Sequence, residues 1–77
     1  MAAPSERTTV YVKLFDEGVD VWRPVPAEDL GQRRYRLLSP DNYDPDDETW
    51  EFVPGTAVVC EPRQLSHGIY MVAIRIA

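Results

Sequence analysis

One cysteine, one histidine and no long apolar run set the first limits on this chain. A lone Cys60 has no partner for an internal disulfide. That excludes a cross-linked secreted miniprotein and favours a reducing compartment, so the cytoplasm is the expected address. One Cys and one His do not make a structural zinc site, and neither a metal nor any other cofactor is expected. No apolar segment approaches the roughly 20 residues that span a bilayer. The longest, Ala57 to Cys60 and Met71 to Ile74, are strand-sized. The stretch from Met1 to Arg7 lacks the apolar core of a signal peptide and reads as a disordered lead, which leaves residues 8–77 as one small domain.

Basic residues are also missing between Arg36 and Arg63, a stretch that holds seven acidic ones: Asp41, Asp44, Asp46, Asp47, Glu48, Glu51 and Glu61. The formal net charge is −5. Affinity for nucleic acid rests on lysines and arginines displacing counterions from phosphate, so neither nucleic acid nor an anionic membrane surface is an expected partner. A protein with a basic or mixed surface is the better complement.

What the chain does contain is β-branched and aromatic residues in short runs. Its 77 residues carry 44% hydrophobic and 27% charged side chains, an ordinary globular balance. Thr8 to Phe15 places Val10, Val12 and Leu14 on one face, the alternation of a half-buried strand. Val19 to Leu30 continues extended, because Pro24 and Pro26 exclude a helix; residues two apart aim their amides the same way, so this strand is read as an edge or as bulged. Leu30-Gly31-Gln32-Arg33-Arg34 has the spacing of a hairpin loop before a strand over Tyr35–Leu38. Ser39 to Glu48 is a polar loop with two prolines. Strands are then expected over Thr49–Val53, Thr56–Arg63 and Ile69–Ile76, separated by a Pro54-Gly55 turn of type II and a Ser66-His67-Gly68 turn. The fold class is all-β: a small SH3-like barrel or a rolled antiparallel sheet of five to six short strands.

Few residues invite chemistry. Asp44, Asp46 and Glu48 match positions 1, 3 and 5 of a calcium loop, yet Thr49 stands where that loop needs glycine and Gly55 where it needs a bidentate Glu. Cys60 follows Val58-Val59 with no basic neighbour, which suits a buried structural thiol better than a nucleophile. His67 lies in a turn. No catalytic residue and no metal ligand is assigned, and the chain is not read as an enzyme. Trp50 and Phe52, two apart and so on one face, are read as core. Trp22, next to Arg23, stands between core lid and exposed anchor. The partner-binding candidates are accordingly Trp22, Arg23, Asp44, Asp46, Asp47 and Glu48. Arg33, Arg34 and Arg36 are read as a solvated turn, with a contact to Asp44–Glu48 as the alternative.

The string Val10-Tyr11-Val12-Lys13-Leu14, Asp16-Glu17-Gly18-Val19-Asp20-Val21-Trp22-Arg23-Pro24-Val25, Trp50-Glu51-Phe52-Val53-Pro54-Gly55 and Val58-Val59-Cys60-Glu61 resembles a family of small uncharacterised bacterial proteins. The resemblance implies a bacterial, soluble, single-domain protein and carries over no active-site residue. The Pro-Gly turn before a valine-rich strand is also similar to SH3-type small barrels. The leading functional expectation is a non-catalytic protein-interaction module that uses its acidic loop. The alternatives are an inhibitor or immunity-type protein that blocks a basic active site, and a small-ligand-binding or enzyme-accessory subunit. Self-association into a homodimer is a further option.

Overall fold

The structure is a computed structural model and describes residues 7–15, 21–41, 43–44, 46, 49–65 and 68–77. Every regular element in it is a strand: β1 (Arg7–Phe15), β2 (Val21–Gly31), β3 (Arg34–Leu37), β4 (Thr49–Trp50), β5 (Ala57–Leu65) and β6 (Gly68–Ile76). They form one six-stranded sheet in the order β2-β3-β5-β6-β1-β4. A further pairing of β1 with β2 closes the hydrogen bonding into a ring through five strands. The all-β, rolled-sheet expectation holds. It is antiparallel throughout except where β6 meets β1, a parallel junction at Tyr11 and Val72.

Alternation decides what the roll encloses. Val10, Val12 and Leu14 of β1 turn inward, opposite Val25 and Val21 of β2, and meet Leu37, Val58, Cys60, Ala73 and Trp50. Val10, Val12, Leu37 and Val58 are wholly excluded from solvent. Each aliphatic side chain of this size stabilises the fold by roughly 1.5–3 kcal/mol through burial. Phe52 and Tyr43 are partly buried against the same core.

β4 is shorter than expected. Glu51 still donates its N–H to the Lys13 carbonyl at 2.9 Å, but the chain then leaves β1. The Thr56 N–H donates to the Val53 carbonyl at 3.2 Å around Gly55, whose φ of +91° is the left-handed conformation that the third residue of a type II turn requires. The Gly55 N–H reaches the Leu37 carbonyl at 2.7 Å, so the turn is tied to β3 rather than to β1.

The expectation that β2 is an edge strand is correct for half of it. Ala27 and Glu28 pair with both β1 and β3, Asp29 and Gly31 with β3 alone, and Val21–Pro26 with β1 alone. The Pro26 carbonyl accepts from the Leu38 N–H at 2.9 Å, so the polar side of Pro26 faces away from β1, and that of Pro24, two residues back, does the same. Pro62 of β5 obeys the same rule: the Cys60 N–H donates to the Arg33 carbonyl at 2.8 Å, away from β6, and β3 has ended before it reaches Pro62. Pro24 and Pro62 thus lack their N–H where no neighbouring strand asks for it, and Pro26 lacks its own just where β3 ends at Leu37. That placement blunts the two open edges against pairing with other chains.

At the β2–β3 hairpin the glycine is not in the turn itself. Gly31 (φ +84°) follows a register shift at Asp29 and takes the Asp29 Oδ1 on its N–H at 2.8 Å. The two connecting residues, Gln32 and Arg33, both have positive φ, +57° and +63°. Two left-handed central residues between paired Gly31 and Arg34 define a type I′ turn, whose twist matches that of the strands it joins.

Candidate interaction surface

Trp22 lies directly opposite Lys13. Alternation turns it to the outside of the roll, where it is half-buried. Arg23, opposite the inward Val12, takes the other side and is also half-buried. The two residues, adjacent in sequence, therefore serve different faces. Asp44 and Asp46 are exposed, and the Asp46 N–H donates to the Asp44 Oδ1 at 2.9 Å, an Asx turn. Asp47 and Glu48 lie outside the described residues, as do the Ser66-His67 part of the predicted turn and the lead up to Glu6.

The acidic loop has an aromatic anchor. Tyr43 donates its N–H to the Pro40 carbonyl at 3.0 Å and sets its ring edge-on to Trp50, with centroids 4.8 Å apart at 65°. Trp50 is in turn the strand partner of Leu14, whose other neighbour is Val21. Register thus brings the root of the acidic loop and the Trp22 end of β2 to the same end of β1. Sequence reasoning named both segments but had no signal for their proximity, because the link runs through two different pairings of one leucine.

The arginine cluster behaves as a strand pattern rather than as one group. Arg36 stands opposite Glu28 and meets it at 3.5 Å, a partly exposed pair that contributes about 0–1 kcal/mol. Arg33 and Arg34 are exposed. Cys60 is fully buried, and burial pushes its thiol up to about 11, so it is protonated at neutral pH and suits packing, not attack. Burial first, and Asp29 second, also raise the Tyr35 hydroxyl above its usual range. Among the described residues no three metal-ligating side chains gather, and no helix is long and apolar enough to cross a membrane.

A feature the sequence did not announce lies on the outer surface. Tyr11 of β1 and Tyr70 of β6 bring their ring centroids to 4.8 Å, and Val72, which alternation turns outward between them, is fully buried there. Beside them a shallow groove of about 350 Å³ runs over Arg7, Thr8, Thr9, Pro24, Val25 and Pro26. No family model, no curated protein and no solved structure matches this chain.

Proposed function

We propose that this protein is a non-catalytic interaction module that presents its acidic loop to a protein with a basic or mixed surface. One observation carries the reading: Leu14 pairs with Val21 on one side and Trp50 on the other, which gathers the Trp22 end of β2 and the Tyr43-anchored carboxylates at one end of the roll. An aromatic anchor beside exposed charge is the composition that dominates protein–protein binding energy, while the charges steer the encounter. The proposal includes a cytoplasmic setting, supported by the single unpaired thiol of Cys60.

The test is affinity capture from an extract of the source organism, using the wild-type chain, Asp44→Lys/Asp46→Lys and Trp22→Ala as baits. The expected result is a protein retained at about 0.05 M salt, released by about 0.5 M, where the screening length falls below about 5 Å, and retained poorly by both variants. Retention that ignores salt and both variants would refute the proposal. A captured enzyme whose activity falls when the module is added would single out the inhibitor version of it.

A further inference from the structure

The charges of this chain are sorted by the fold in a way its net value conceals. Alternation from the buried Val10, Val25, Val58 and Cys60 identifies every outward-facing strand residue. Six of the eight basic residues of the chain are among them: Arg7, Lys13, Arg34, Arg36, Arg63 and Arg75. Among the described acidic residues, Glu28, Glu51 and Glu61 share that surface: Glu28 meets Arg36 at 3.5 Å, Glu61 meets Arg63 at 3.7 Å, and Glu51 stands level with Lys13. Among the described residues the outside of the sheet is therefore basic although the chain as a whole is acidic.

The same surface carries the rings. Tyr11 and Trp22 lie outward on β1 and β2, and Tyr70 lies outward on β6 opposite Arg63. Four neighbouring strands, β5-β6-β1-β2, thus present Arg63, Tyr70, Tyr11 and Trp22 in sequence across about 14 Å, at roughly 4.8 Å per strand. Arg75 of β6 and Arg7 of β1, the latter opposite Glu28, lie on either side of this band along the strands.

We propose that this outer band is a binding surface for single-stranded nucleic acid, with bases lying on the Tyr11, Tyr70 and Trp22 rings and phosphates met by Arg7, Arg63 and Arg75. Ring platforms interleaved with arginines are what a flexible polyanion with flat bases needs, and stacking is tolerant of sequence because every base has a π-face. An acidic peptide would use the arginines but leave the rings without a planar partner, which is why nucleic acid is preferred. The net charge of −5 argues the other way only at long range. The acidic loop is rooted at the level of Leu14, next to the Trp22 end of the band, whereas Tyr70 and Arg63 at its other end are level with Thr9 through the parallel Tyr11–Val72 junction. Five residues of strand separate those levels by about 17 Å, two screening lengths at physiological salt. At that end of the band Arg7 and Arg63 govern the local potential.

The probe is a fluorescein-labelled oligothymidylate of about 12 nucleotides, followed by anisotropy at about 50 mM salt, with quenching of tryptophan emission as a second readout. The expected Kd lies between about 1 and 100 µM, with a slope of log affinity on log salt near −2 for about three phosphate contacts. Tyr11→Ala is expected to lose about 5- to 150-fold, Tyr11→Phe to bind like the wild type, and Arg63→Glu/Arg75→Glu to lose at least about tenfold. The exposed arginine pair and the ring-preserving Phe variant keep the test decisive if Tyr11→Ala unfolds. Asp44→Lys/Asp46→Lys is expected to leave this affinity unreduced, which separates the proposal from the acidic-loop reading above. No anisotropy change up to about 1 mM protein, indifference to the arginine reversals, or equal competition by a polyglutamate peptide of matched charge would overturn it.

Discussion

The β2–β3 hairpin offers a sharp test of the structure, because its two connecting residues are the wrong types for the conformation they hold. Gln32 and Arg33 sit at φ +57° and +63°, where a side chain with a Cβ costs roughly 1–2 kcal/mol. Arg33→Gly removes that strain, while the freedom glycine adds to the unfolded chain takes back about 0.5–1 kcal/mol. The net expectation is a gain of about 0.5–1 kcal/mol. The hydrogen bond from the Cys60 N–H to the Arg33 carbonyl is made by backbone and survives the change. Unfolding a chain of 77 residues carries an entropy of roughly 160 cal/mol/K, so the midpoint should rise by about 3–6 °C. Thermal and urea unfolding followed by circular dichroism measure this directly. Arg33→Ala loses the same charge but keeps the Cβ and should show no gain. Arg34→Gly, one residue on and inside β3, should lose about 0.5–1 kcal/mol, since glycine only weakens a strand. If Arg33→Gly and Arg34→Gly fall together, the left-handed pair is not the turn that joins these strands.

Three further outcomes follow from the packing. Leu37→Ala should cost about 2–5 kcal/mol by opening a cavity at a fully enclosed site, whereas Ile76→Ala, two-thirds exposed, should stay within about 1 kcal/mol in the same unfolding assay. Cys60 gives the stability a pH dependence of definite sign: its folded pKa of about 11 exceeds the reference value of 9.0, so the folded state holds the proton longer. Stability should therefore be intact below about pH 9 and decline by about 1–3 kcal/mol as pH rises to about 11, and this window should vanish in urea titrations of Cys60→Ala. Restoring an amide on the open half of β2 with Pro24→Val should promote self-association, visible as a mass increase in light scattering at high concentration; an unchanged monomer mass would show that the proline does not guard that edge.

Much of the fold is legible residue by residue. The alternation of Val10, Val12 and Leu14 announces both the strand and its buried face, and Pro54-Gly55 announces a type II turn, because these are local consequences of pleat geometry and of a missing Cβ. The prolines announced an edge, but only the register shows that it covers half of β2 and recurs at Pro62. The hairpin misled in detail: Gly31 drew attention to itself, while the turn fell on Gln32 and Arg33, where tertiary closure through Cys60 overrides local preference. Trp22 and Arg23 read as one patch in a line of text, yet the two-residue period of a strand sends them to opposite sides.

By itself, then, the order of residues determined that this chain forms short strands around aliphatic side chains, with its acids concentrated in one loop, since periodicity and charge are properties of neighbours. Only the closed sheet decided which distant residues meet. It set Tyr11 against Tyr70 through a parallel junction, brought Trp50 and Val21 to either side of Leu14, and turned six cations outward on an acidic protein. Those outcomes depend on strand order and register, which are fixed when the whole core is buried at once and which no local run of side chains encodes.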